Sequence, residues 1–246
     1  MKNEKEDRGE FRGLNELKVL KGRKRLEYIW NYYKIALGIL AIAVYLFIYV
    51  LYRRATATEP YLYLGLVNVS AGETLTQELT EDFLAGQEDA TGRSVVETYP
   101  DLLLTEITSD TDSSYVYASQ MKILAAIDGE ELDVVLLDKE AFDAFAQNGY
   151  LCNMEDFLST QVPELSGMLA DDLALNIEIL EDNATDVMLD NSLTYEASTS
   201  EYPMALRVND LPVFKEAGFS EDLYLAILVN TPRREAVADY LRYLAQ

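Results

Sequence analysis

Residues 132–149 read LDVVLLDKEAFDAFAQNG. Leu132 to Leu137 form an apolar run rich in β-branched side chains, the pattern of a strand covered on both faces. Asp138 ends that run and brings the side-chain oxygen a helix N-terminus needs. Phe142 and Phe145, three residues apart, give the next segment, Lys139 to Gln147, one apolar face, and Asn148-Gly149 stops it. A strand, an acidic turn and a helix therefore follow one another without a spacer, and the rest of the chain repeats the theme in both directions.

Upstream, Tyr61-Leu62-Tyr63-Leu64-Gly65-Leu66-Val67-Asn68-Val69 is a second near-continuous apolar run. Leu75, Leu79 and Phe83 then recur every four residues, predicting a one-faced helix that ends near Gly86. Ser94 to Leu104 reads as one or two strand pieces interrupted by Pro100. From Asp112 to Ile127, Tyr117, Met121 and Leu124 predict the apolar face of another helix, capped by Asp112 or Ser113 and closed by Gly129. Downstream, Asp156 to Leu175 reads as partly helical, and Glu178 to Tyr202 as a β excursion or loop. Leu223 to Val229 is a further buried strand; Thr231 is placed as a cap, Pro232 at the first helical position, and Val237, Tyr240, Leu241 and Leu244 on the buried face of a closing helix. Strands alternating with helices predict an α/β fold with a mostly parallel sheet and flanking helices.

The run SQMKILAAIDGEELDVVLLDKEAFDAFAQNGYLCNMEDFL, Ser119 to Leu158, resembles the extracellular solute-binding proteins of bacterial ABC importers, which have the type 2 periplasmic-binding fold. The likeness lies in a helix ending in Gly, an Asp-Val-Val strand, an acidic turn and a helix. A Gly-aromatic-Leu step follows, here Gly149-Tyr150-Leu151, leading into a phrase matched by Met154-Glu155-Asp156-Phe157-Leu158. Leu223 to Leu244, LYLAILVNTPRREAVADYLRYL, looks like the family's return strand, Asn-x-Pro cap and helix. The resemblance implies a periplasmic-binding-like domain that recognises a small solute, peptide or glycan. This chain departs from the family in two ways: only about 65 residues separate Leu158 from the return strand, where a second lobe would be built, and an apolar segment precedes the domain.

That segment is Ile35 to Tyr52, IALGILAIAVYLFIYVLY, which lacks charge and has no polar face. As a helix it spans about 27 Å, close to a hydrocarbon core. Tyr28, Trp30, Tyr32 and Tyr33 before it, and Tyr49 and Tyr52 at its end, match interfacial belts. Lys18, Lys21, Arg23, Lys24, Arg25 and Lys34 precede it closely, and only Arg53 and Arg54 follow, so the N-terminus is expected in the cytoplasm and the C-terminal domain outside the cell membrane. Ala55-Thr56-Ala57 has the form of a signal-peptidase site, but the long leader and the two arginines favour an uncleaved anchor. The expected organisation is a basic cytoplasmic segment over 1–34, a transmembrane helix over 35–52, a linker over 53–60 and an extracytoplasmic domain over 61–246.

Charge divides the chain the same way. The net charge is −23, but residues 55–246 carry eight basic side chains against 37 acidic ones. This makes the outer domain soluble and repelled by anionic surfaces. The chain contains no histidine, which removes Ser-His catalysis and most zinc sites. Carboxylate pairs are unavoidable in so acidic a domain and point to no glycosidase. Asp110-x-Asp112-x-Ser114 and Asp182-Asn183-x-x-Asp186 lack the Gly and Glu of a calcium loop and read as solvated turns. No Gly-rich phosphate loop occurs, and acidic residues dilute the basic segment, so nucleic acid is not expected as a partner. Cys152, the single cysteine, reads as a small buried hydrophobe.

The expectation is a non-enzymatic recognition domain with no cofactor and no metal. Ligands on such sheets lie outside the carboxyl ends of the strands. This singles out Asn68 to Ser70, Asp138 to Glu140 and Asn230, and within them Asn68, Ser70 and Asp138 as binding residues; Tyr202, before Pro203, is added as a stacking surface. The expected partners are the membrane lipid bilayer, a small solute, peptide or glycan, and a transporter or other membrane-complex subunit. The alternative is a scaffold or assembly subunit whose binding fold has lost its ligand.

Overall fold

A computed structural model describes residues 23–104, 113–190 and 192–246, with the backbone alone described at 23–33, 37 and 113. The basic segment before Arg23 and the Asp110 and Asp112 of the first acidic turn lie outside these residues. The chain divides into two compact units, 1–57 and 58–246.

In the first unit, α1 (Arg23–Thr56) is one continuous helix. Within its part from Lys34 to Thr56, an 18-residue stretch has a mean hydropathy of 2.5 with none of it buried inside the fold, and the helix is long and apolar enough to cross a membrane. The stretch 53–60 is largely regular backbone: α1 runs to Thr56, and the next strand starts at Glu59.

The second unit is a three-layer α/β/α domain. Its elements are β1 (Glu59–Val67), α2 (Glu73–Gln77, continued through a π-helical turn, Glu78–Asp82, to Phe83–Ala85), β2 (Ser94–Leu102), α3 (Ser113–Asp128), β3 (Val134–Leu137) and α4 (Lys139–Gln147). They continue with α5 (Met154–Gln161), α6 (Pro163–Ser166), β4 (Leu173–Asp182), α7 (Ala184–Leu189), β5 (Ala197–Arg207), α8 (Pro212–Ala217), β6 (Tyr224–Ile227) and α9 (Arg234–Leu244). The six strands form one sheet in the order β2-β1-β3-β6-β5-β4.

The sheet is mixed rather than mostly parallel. β1 pairs in parallel with β2 and β3, whereas the β3–β6, β6–β5 and β5–β4 pairs are antiparallel. A short apolar run buried on both faces carries no directional signal, so the reversal of β6 could not be read from Leu223–Val229. Both faces of the sheet are covered. Leu75, Leu79, Phe83, Phe157, Phe214, Val237 and Leu241 pack on one, and Ile123, Ile127, Phe142 and Phe145 on the other.

Three local readings change. Pro100 does not break its strand: β2 lies at the sheet edge, where a missing N–H costs no ladder bond. The buried face of α3 is Val116, Ile123, Ala126 and Ile127, while Tyr117, Met121 and Leu124 are exposed. Apolar residues lie all round that helix, and the smaller and β-branched stripe is the one set against the sheet. Finally, α9 starts at Arg234, not at Pro232; Thr231 accepts a hydrogen bond from the Arg233 N–H within a turn (3.2 Å).

Candidate functional site

Val67 pairs with Leu137, so the carboxyl ends of β1 and β3 lie side by side and carry Asn68 and Asp138 out together. Asn68 adopts a left-handed backbone (φ 57°), a conformation asparagine tolerates better than most residues. Its N–H donates to Leu102 O at 2.8 Å, its Nδ2 donates to Leu104 O and Asp138 Oδ1 at 3.2 Å each, and its Oδ1 accepts from the Leu104 N–H at 2.8 Å. One side chain thereby ties three strand ends together. Asp138 is also the N-cap of α4, its Oδ1 accepting from the Ala141 N–H at 2.8 Å. Asp101 at the end of β2 is likewise left-handed (φ 55°), and its carbonyl accepts from the Tyr115 hydroxyl at 2.8 Å.

Asn68, Val69 and Ser70 form the ridge between two small hollows. One, of about 210 Å³, is completed by Asp101–Leu103 and Tyr115. The other, of about 260 Å³, is completed by Asp138 and Phe219–Leu223. The fold thus brings together Asn68, Ser70 and Asp138, three of the four residues singled out in the sequence. Both hollows fall below the roughly 300–1,000 Å³ of typical small-molecule sites.

Tyr202 is elsewhere. Arg207 of β5 is level with Tyr224 and hence with Leu137. Tyr202 lies five residues earlier, roughly 17 Å away along the strand at the opposite end of the sheet. Its ring is partly buried, and its hydroxyl donates to Glu178 Oε2 at 2.8 Å, so it is a fixed part of the β4–β5 pair rather than a free stacking platform. Asn230 is also at the far end, because β6 runs antiparallel; its Nδ2 donates to Ile127 O at 2.6 Å.

The sequence reading missed the most demanding polar group of the domain. Asp133 is fully buried just before β3. Its carboxylate accepts from the Tyr63 N–H (2.8 Å), the Thr231 hydroxyl and Arg233 Nε (2.8 Å). The Arg233 guanidinium stacks over the Tyr63 ring at 4.5 Å. The signal was a lone Asp inside an apolar run with an Arg a hundred residues away, and only the fold pairs them. A hollow of about 710 Å³ opens beside it, lined by residues including Tyr61, Asp89, Arg233, Arg234 and Asp239. Its cations are already engaged, Arg233 by Asp133 and Arg234 over the Phe157 ring at 5.2 Å. Among the described residues, no group of three metal-ligating side chains occurs; Asp182 and Asn183 instead close the tip of the β4–β5 hairpin through Tyr195, Thr194 and Glu196.

Cys152 is buried, and that burial pushes its thiol up to about 12. Tyr99 and Tyr202 are likewise raised to about 12, first by burial and then by donating to Glu131 and Glu178 respectively. A group raised in the folded state contributes stability that is complete below its unfolded value and is lost as pH climbs toward the folded one. The urea midpoint is therefore expected to hold up to about pH 9 and to fall between pH 9 and 12. At pH 7, Cys152 should resist maleimide in the native protein and react at once in denaturant. Rapid native labelling at pH 7 would contradict the assigned burial. No protein-family model, curated protein or solved structure matches this chain.

Proposed function

We propose that this chain is a single-pass membrane protein with a cytoplasmic N-terminus, whose extracytoplasmic domain is a one-lobed solute-binding-like fold. It serves as a non-catalytic recognition or assembly subunit of a membrane complex such as a transporter. The observation that carries this reading is the fate of the segment between α5 and β6, where a second lobe would stand. Its strands β4 and β5 join the same sheet, so among the described residues Asn68 and Asp138 face only the short Phe219–Leu223 turn and no second lobe. A cleft that encloses a solute needs two walls. The polar groups of Asn68 and Asp138 also serve to tie strand ends and cap a helix, which leaves them less to offer a ligand. The apolar helix and the Lys/Arg excess on its N-terminal side support the anchor and its orientation.

The convergence of Asn68, Ser70 and Asp138 favours a second reading, in which a small solute or glycan binds at the carboxyl ends of the strands. A thermal-shift screen of the detergent-solubilised full chain against sugars, amino acids, polyamines and peptides separates the two. A ligand present at 100 times its dissociation constant adds about 2.7 kcal/mol of stability. The expected outcome is no shift from any compound, and a shift that Asn68→Ala abolishes would establish the solute reading instead. Protease added to intact cells should remove a C-terminal tag; a protected tag would overturn the topology.

A further inference from the structure

We infer that the outer edge of β4 accepts a basic, apolar-alternating segment of another protein as an added β-strand. This rests on the recognition reading above and names the chemistry of the partner.

β4 is the last strand in the sheet order, so its outer backbone edge has no strand beside it among the described residues. β5 pairs with β6 only over Ala205–Arg207, while β4 and β5 stay paired out to Asp182 and Ala197. The outer half of this pair is therefore a two-stranded ribbon running beyond β6. Such ribbons are marginal on their own, and this one is held in shape by side chains. Asn176 Nδ2 donates to Asp143 at 2.8 Å, Tyr202 donates to Glu178, and Asn183 accepts from the Glu196 N–H and donates to Thr194 O. A pre-shaped edge lowers the ordering cost of adding a strand.

The ribbon is also apolar where it faces water. Leu175, Ile177 and Leu180 of β4 are exposed, as are Leu193 and Tyr195, and at the tip Met188 and Leu189 are 84% and 83% exposed. Proteins usually blunt an edge with lysine, bulges or other devices; β4 has irregular register at Ala174/Leu175 and Ile179/Glu181, and its Ile177 N–H donates to Asn176 Oδ1 at 2.8 Å, but it has no basic guard. Here no Lys or Arg occurs between Lys139 and Arg207. The ribbon and its tip instead carry Glu178, Glu181, Asp182, Asp186, Asp190, Glu196 and Glu201.

Charge selects the occupant. A second copy would set these carboxylates against their own kind, and an anionic lipid surface is repelled in the same way. A strand with Lys or Arg at alternate positions sets those charges on the face that carries Glu178 and Glu181, and its intervening apolar side chains cover Leu175 and Ile177 on the other face of β4.

The test uses the full chain in nanodiscs and a fluorescein-labelled peptide with six Lys-Val repeats. Its controls are a block isomer with six lysines followed by six valines and a peptide with six Glu-Val repeats. The alternating basic peptide is expected to bind at least tenfold more tightly than either control and to slow amide exchange along residues 174–182. The double variant Leu175→Lys/Ile177→Lys should weaken binding at least tenfold without moving the melting temperature. Glu181→Lys, at an exposed position on the face that receives the basic side chains, should also weaken binding severalfold without moving the melting temperature. Equal binding of the block isomer, protection outside β4, or protection of β4 that grows with chain concentration in the absence of peptide would each overturn the inference, the last by making a second copy the occupant. A failure here without any solute shift removes the strand acceptor alone, whereas a solute shift that Asn68→Ala abolishes replaces the subunit reading on which it rests with the solute reading.

Discussion

Replacing Arg233 with methionine is expected to destabilise the α/β domain by about 3–5 kcal/mol, because it strands a fully buried carboxylate without its countercharge. The pair joins three places far apart in sequence. Asp133 sits at the entrance to β3, its carboxylate accepts from the N–H of Tyr63 in β1, and Arg233 leads into α9. The expected loss comes from the orphaned charge and not from the attraction alone, since a buried pair roughly breaks even against a well-packed apolar substitute. Adding Asp133→Asn to Arg233→Met should therefore recover at least about 1 kcal/mol, giving a coupling that chemical denaturation of the four proteins in a double-mutant cycle will read. Additive losses would show that the two residues act separately.

Phe83→Ala is expected to cost about 3–5 kcal/mol and to lower the melting temperature by about 6–20 °C. Phe83 is completely buried, with its ring 4.8 Å from Tyr240, 5.5 Å from Tyr243 and 5.8 Å from Tyr61. It lies immediately after the π-helical turn of α2, where the backbone ladder is irregular. The hydroxyls of Tyr240 and Tyr243 donate to the carbonyls of Leu79 and Glu78, so α9 satisfies polar groups of that turn while its aromatic rings pack on Phe83. Deleting the Phe83 ring leaves a cavity against two tyrosines that cannot follow it without breaking those bonds. Tyr240→Phe, which removes one hydroxyl and no volume, should cost only about 1 kcal/mol. Similar losses for the two variants, measured by differential scanning calorimetry, would show that hydrogen bonding rather than packing dominates the joint.

Some local elements were legible because their signal is contained in a few neighbouring residues. The strand within Leu132–Leu137, the Asp138 cap, α4 with Phe142 and Phe145, and the Gly149 stop all follow from side-chain period and capping chemistry, and the structure has each of them, the strand starting two residues later at Val134. The same holds for the helix carrying Leu75, Leu79 and Phe83, and for the buried face of α9. In α3, by contrast, two apolar stripes compete, and the choice between them depends on the fit against a sheet that no local window contains.

At the candidate site the same division applies. Asn68, Ser70 and Asp138 could be placed together from strand ends alone, because parallel neighbours carry their carboxyl termini to one side. Tyr202 and Asn230 could not. Their positions depend on strand direction, and a run buried on both faces looks alike in either direction.

The amino-acid order by itself therefore determined an apolar helix ahead of an acidic α/β domain, the identity of most strands and helices, and one cluster of polar strand ends, since each rests on the period or charge of adjacent residues. Tertiary structure alone decided the mixed sheet, the pairing of Asp133 with Arg233, the absence of a facing lobe among the described residues and the acidic ribbon with its open edge. These depend on which distant segments pair, which is settled by the burial and hydrogen bonding of the whole domain.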